Sequence, residues 1–177
     1  MQKYGRITSP GTVKFERTFQ NKILEVWNYL TDSDKRGLWL ASGNMQLEVG
    51  GEVKLVFQHR NLSMQEDSVP EKFKDKSDGE TLNEKVVQLD PPEVLGFTWN
   101  DDSLVTFELS SRENNTHLLL THENLGKNQG TLIAVCSGWH AHLNILSDRL
   151  EGLEPKGFWT TYNEIEAEYV QRIAADD

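Results

Sequence analysis

Residues 131–150, TLIAVCSGWHAHLNILSDRL, constrain the fold more than any other stretch. Leu132, Val135, Trp139, Leu143, Leu146 and Leu150 recur at spacings of three and four. At roughly 100° per residue they fall in one narrow apolar stripe of a long helix. A stripe of this size needs a large apolar partner. Most of the chain before it reads as strands, so the partner is a sheet. Gly126 and Gly130 loosen the approach to the helix, and Pro155 with Gly157 closes it. Gly138, beside Trp139, leaves out a side chain where something needs to come close.

In chain order, residues 12–19 alternate, with Val13, Phe15 and Phe19 on one face of a strand. A short helix over 22–30, capped by Asn21, and a second one capped by Thr31 or Ser33 follow. Met45, Leu47 and Val49 alternate as a strand. Gly50-Gly51 then turns it into a return strand carrying Val53, Leu55 and Phe57. Residues 60–79 are polar and aperiodic, a long loop in which Phe73 is the one side chain suited to dip into a pocket. Four further strands, 80–89, 94–99, 103–111 and 116–123, are separated by turns at Asp90-Pro91-Pro92-Glu93, Asn100-Asp101-Asp102 and Asn114-Asn115. After the long helix, Trp159, Tyr162, Ile165, Tyr169 and Ile173 mark a last amphipathic helix, expected on the outside of the core.

The expected fold is α+β, in the order β-α-α-β6-α. About seven antiparallel strands form a curled sheet that grips the long helix, and one extra terminal helix follows. Residues 12–150 would form the grip domain, and 151–177 an acidic helical extension packed on it. A curled sheet and a helix need not meet everywhere. The gap between them is a natural apolar cavity for a small molecule.

The charge balance narrows the partners. Eighteen basic against 28 acidic residues give a net charge of −10. That argues against nucleic acid and an anionic membrane surface as partners, since both need basic patches. No charged-then-apolar leader is present, and no apolar run reaches the ~18 residues of a membrane span. A cytoplasmic protein is the expectation. One cysteine, Cys136, excludes an internal disulfide framework. His140 and His142 point about 200° apart on a helix, and His117 and His122 lie on opposite faces of a strand. No metal site follows, no cofactor motif is present, and no catalytic set stands out. Cys136 and His140, four apart, read as core and rim. His140 and His142 flank the stripe, where either could hydrogen-bond a ligand hydroxyl.

The set of motifs carries a resemblance. Phe15-Glu16-Arg17-Thr18-Phe19, Val26-Trp27, Leu30-Thr31-Asp32 and residues 47–53 (LEVGGEV) belong to it. So do Gly79-Glu80, Asp90-Pro91-Pro92-Glu93, Phe97-Thr98-Trp99, Leu120-Thr121-His122-Glu123 and Gly138-Trp139 with Leu143, Leu146 and Leu150. Together they resemble the START-like helix-grip superfamily (SRPBCC), which has the birch-pollen-allergen fold. The branch is the one similar to the C-terminal domain of the heat-shock-chaperone ATPase activator. The resemblance implies a seven-stranded sheet around the long helix and, in many members, a hydrophobic ligand cavity. Non-enzymatic binding of a small hydrophobic or aromatic molecule is the expected function. The candidate cavity residues are Trp39, Phe57, Phe97, Trp99, Phe107, Trp139, His140 and Leu143. Two alternatives remain: a stress-related module whose partner is a chaperone, and an enzyme resembling polyketide cyclases.

Overall fold

The computed structural model describes residues 3–76, 79–100 and 102–175. Asp101, in the turn expected at 100–102, lies outside them, as do the two ends of the acidic and N-terminal segments. The described chain runs β1 (Arg6–Ser9), β2 (Thr12–Phe19), α1 (Ile23–Thr31), α2 (Ser33–Gly37), β3 (Glu52–Phe57), β4 (Glu80–Asp90), β5 (Val94–Trp99), β6 (Ser103–Arg112), β7 (Asn115–Glu123), α3 (Gln129–Leu150) and α4 (Phe158–Ala175). The seven strands make one antiparallel sheet, ordered β1-β2-β7-β6-β5-β4-β3, and α3 fills its curl. This is the expected α+β helix-grip architecture.

The alternation that marks the strands is the alternation of burial. Along β6, Ser103, Val105, Phe107 and Leu109 are buried, while Thr106 and Glu108 face outward. Opposite Phe107 stands Leu120 of β7, also fully buried. The turn between β6 and β7 is two residues, Glu113-Asn114, with Glu113 at φ 56°, and Asn115 already belongs to β7.

The seventh strand is not the one read from the sequence. Residues 45–49 alternate but do not form a strand. They meet β3 through an isolated bridge of Met45 with Val53 and a bond from Gln46 N–H to the Glu52 carbonyl at 2.9 Å, and Leu47 and Val49 are 45% and 68% exposed. Apolar alternation without a partner surface does not make a strand. The chain instead tucks against β4, where Gly50 N–H donates to the Val86 carbonyl at 2.8 Å. Gly50 has φ 86°, and a Cβ on Gly51 would lie 2.4 Å from the Gln46 carbonyl oxygen. The missing strand is β1, whose RITS has no apolar alternation and pairs with β2 along the sheet edge.

Helix caps also differ. Asn21 does not cap α1; its side-chain amide donates to the Leu150 carbonyl at 3.2 Å, tying the start of α1 to the end of α3. The cap of α2 is Asp32, which accepts from Lys35 N–H at 2.9 Å. Asn128 caps α3 by accepting from Thr131 N–H at 3.0 Å. Arg36, 1% exposed, fastens the region after α2 by donating to the carbonyls of Leu30, Thr31, Ala41 and Gly43. Burial lowers its pKa to about 10.

The long helix is buried on two sides. Its stripe packs into the sheet, with Leu143 and Leu146 fully buried. Its back packs against α4, where His140 meets Tyr169 and Cys136 is 1% exposed. The N-terminal segment crosses this back face. Gly5 N–H donates to Tyr169 Oη at 2.8 Å, Tyr4 bonds to Glu168, and the Arg172 guanidinium sits 3.6 Å from the Tyr4 ring centre.

Candidate functional site

Sheet and helix part company along the first half of α3. Ala134, Val135, Gly138, Trp139 and His142 lie on one face of the helix at spacings of one, three and four, and all border a cavity of about 300 Å³. The sheet supplies Phe57, Leu82, Trp99 and His122. Glu80 and Asn100 stand at the exposed rim, while Phe57, Trp139 and His142 are buried. A Cβ built on Gly138 meets nothing within 4 Å. No element presses on this glycine, so its missing side chain leaves open space.

The last helix, expected on the outside of the core, forms one wall of the cavity. Its first turns deliver Phe158, Trp159 and Tyr162 into the wall. The long loop after β3 adds His59 and Phe73. Phe73 stacks on Trp159 at 4.9 Å, and His59 packs 4.1 Å from Phe158. Thus Phe73 occupies the position its sequence context suggested. The loop is clipped to α4 from a distance of about ninety residues. Asp67 accepts from Trp159 N–H at 2.9 Å and Thr160 N–H at 2.8 Å, an N-cap supplied by another segment. Gly157 is where that carboxylate comes in: a Cβ there would lie 2.4 Å from Asp67 Cγ. Lys72 pairs with Glu166 at 2.5 Å, and Arg149 donates to the Leu62 carbonyl at 2.9 Å.

Of the candidates read from the sequence, Phe57, Trp99 and Trp139 line the cavity. Trp39, Phe97, Phe107 and Leu143 do not border it; they form the packed layer beside it, with Phe107 5.9 Å from Trp139 and 6.3 Å from Trp39. His140 points the other way. It is fully buried on the α4 side of α3, with Nδ1 3.0 Å from Tyr169 Oη. Two positions from Gly138 on a helix is about 200°, so a residue there cannot share the glycine's face. His59, His122, Phe158, Trp159 and Tyr162 also line the cavity, and the sequence does not mark them as cavity residues. The FWTTY run of α4 was the available signal, since an aromatic cluster on one helix face needs a partner.

The polar groups in the wall are mostly spoken for. Trp139 Nε1–H donates to His122 Nδ1 at 3.0 Å, which fixes the proton of His122 on Nε2. That proton goes to Ser103 Oγ at 2.8 Å, and the Ser103 hydroxyl donates to the Trp99 carbonyl at 2.5 Å. Burial holds His122 neutral, with its pKa lowered to about 4. His142 Nδ1 lies 2.7 Å from the Trp39 carbonyl oxygen, which can only accept, so Nδ1 carries the proton. Burial, with His59 nearby, lowers the His142 pKa to about 3. His59 is lowered to about 4, again mainly by burial. The Tyr162 hydroxyl donates to Glu166 at 3.3 Å, and burial raises its pKa. On the back face, burial and the charges of Arg17, Lys3 and Arg172 lower His140 to about 3, and burial pushes the Cys136 thiol up to about 12. Such a thiol is a poor nucleophile. Among the described residues no group of three or more His, Cys, Asp or Glu is placed to hold a metal ion. No helix among them is long and apolar enough to cross a membrane.

A family model described as Activator of Hsp90 ATPase homolog 1-like protein matches residues 22–151. The chain belongs to this family. A protein from Bordetella parapertussis, solved by solution NMR, is 33% identical over 96% of this chain and 90% of its own, with a TM-score of 0.80. A conserved protein of unknown function from Enterococcus faecalis is 19% identical, covering 98% of this chain and 91% of its own at a TM-score of 0.70. CalU16 from Micromonospora echinospora is 20% identical, covering 90% and 86% at 0.65. The last two share the fold. No functionally curated protein matches in sequence. The activator-homologue family match stops at residue 151, so α4, which forms one wall of the cavity, lies beyond the matched region.

Proposed function

We propose that this activator-homologue family member binds a small, neutral, ring-bearing molecule in the cavity between sheet, α3 and α4, and holds it without transforming it. The cavity itself carries the reading. Ten of the sixteen residues that line it bear rings, so its walls suit a flat apolar guest better than a flexible chain. Its volume, about 300 Å³, is at the small end of ligand sites, which favours one or two fused rings. Gly138 supports the same reading. A glycine inside a helix costs about 1 kcal/mol relative to alanine, and here no packing contact explains it.

Binding without chemistry is favoured by the state of the histidines. General acid–base work wants a group near neutral pKa within reach of the guest. His122 has both nitrogens engaged, and His59 and His142 are held at about 4 and 3. His140 faces away from the cavity.

The test is a thermal-shift and native mass spectrometry screen of the full chain with one- and two-ring aromatics. Gly138→Leu serves as the control, since its side chain would fill the cavity. Stabilisation of the wild type that the variant loses supports the reading. A wild type that no compound stabilises overturns it.

A further inference from the structure

The reading above leaves the polarity of the guest open, and the hydrogen bonds of the wall decide it. Three of the polar side chains around the cavity have fixed partners. The Trp139 indole N–H is used by His122. His122 has neither a free proton nor a free lone pair, because Trp139 and Ser103 take one each. The Tyr162 proton is directed at Glu166, and Lys72 is neutralised by the same carboxylate. His142 is different. Its Nδ1–H is spent on the Trp39 carbonyl, on the core side of the ring. Nε2, on the opposite edge of the same ring, therefore holds an in-plane lone pair and no proton. The ring is part of the cavity wall, between Phe158 at 4.5 Å and His59 at 5.4 Å.

We propose that His142 Nε2 is the cavity's orienting acceptor, so that the guest is an aromatic molecule carrying a hydroxyl or ring N–H, of the phenol or indole type. The inference rests on the cavity being a ligand site. Its complement is exclusion. The one formal charge among the lining residues is the Glu80 carboxylate at the rim, so an anionic guest meets repulsion on entry and no cation inside. A guest with only carbonyl or ether oxygens offers the lone pair of Nε2 nothing to accept and leaves it unpaired in a mostly apolar site. The neutral state of His142 keeps this lone pair available across the physiological range.

The experiment is a fluorescence titration of the full chain, read on its tryptophans, with four probes of one shape: 2-naphthol, naphthalene, 2-methoxynaphthalene and 2-naphthoate. We expect 2-naphthol to bind about tenfold tighter than the hydrocarbon and the ether, the worth of one hydrogen bond, and 2-naphthoate to bind least. In His142→Phe the advantage of naphthol over naphthalene shrinks towards unity while naphthalene itself still binds. A second readout needs no variant. The ¹⁵N resonance of His142 Nε2, that of a bare ring nitrogen in the free protein, moves upfield when 2-naphthol is added and stays put with the ether. Equal affinity for naphthol and methoxynaphthalene in the wild type, or tightest binding of the carboxylate, overturns this inference while leaving the cavity a ligand site. If none of the four binds, the ligand-site reading falls, and the inference falls with it.

Discussion

The two halves of α3 face the same sheet and end in opposite outcomes. From Leu143 to Leu150 the sheet-facing side of the helix is packed solid: Leu143 and Leu146 are completely buried, and Arg36 stitches the neighbouring loop with four carbonyl acceptors. From Ala134 to His142 the helix stands off from the sheet, and rings from three other places make up the wall. Both halves are rich in large apolar side chains, so hydrophobicity does not separate them. What differs is the source of the partners. In the solid half, sheet and helix fill each other. In the hollow half, Ala134 and Gly138 are too small to reach across, and α4 and the β3–β4 loop wall the outside rather than fill the inside. The lesson is that a cavity in this fold is made by small residues on the gripped helix together with a cover that comes from elsewhere.

Acid should test the dryness of the hollow half most severely. Burial holds His59 and His122 at about 4, and His140 and His142 at about 3. Three of the four line the cavity. All are depressed in the folded protein, so below the unfolded value of about 6.5 the unfolded chain binds more protons. Stability is therefore complete above about pH 6.5 and falls as pH drops towards 4. Each histidine contributes a slope approaching about 1.4 kcal/mol per pH unit, and the four together about 5. Urea melts between pH 7.5 and 4.5 measure this. A flat profile down to pH 5 would mean that these rings are well solvated, and the contrast between the halves would weaken.

Leu143→Ala and Val135→Ala compare the halves directly. The first empties a fully buried site and should cost about 2–5 kcal/mol. The second trims a half-buried side chain that already borders open space, and should cost about 1 kcal/mol or less. Equal losses in denaturant unfolding would show that the space beside Val135 is filled in solution.

The solid half was largely legible in the sequence, and the hollow half was not. Alternation located β5, β6 and β7, and the three-and-four spacing located α3, because each pattern records which face meets a large apolar surface. The edge of the sheet was harder. RITS of β1 lies exposed along the rim and carries no such record, while Met45, Leu47 and Val49 alternate over a stretch that ends mostly in solvent. The cavity was only partly visible. Phe57, Trp99 and Trp139 could be named because they sit on strands and on the stripe. Yet Phe97 and Phe107 carry the same pattern and face filled space. Whether a ring borders a void depends on what the opposing element lacks, which is a property of pairs and not of a residue. The rings of α4 were legible as an amphipathic face, but nothing local told that they would cover the cavity rather than a solid core.

The cover has its own latch, and removing it should have a moderate effect. In Asp67→Ala the first turn of α4 loses an N-cap that two backbone N–H groups use. The expected loss is about 1 kcal/mol, with faster hydrogen exchange at Trp159 and Thr160 than at Leu143 or Leu146. Exchange that rises equally along both halves of α3 would mean that the cover and the core open as one unit, and the hollow half would have no separate cover.

Gly138→Ala gives the smallest effect and the finest distinction. In a packed interior, an added methyl group strains its neighbours and destabilises. Here a Cβ meets nothing within 4 Å, so the substitution should stabilise by up to about 1 kcal/mol through helix propensity alone. The same methyl group narrows the cavity between Val135, Trp139 and His142, so an aromatic guest that the wild type accepts should bind more weakly. Stability and affinity are thus expected to move in opposite directions, as they do where a residue is kept for a site rather than for the fold. A destabilising methyl group would show that the helix already touches something at Gly138.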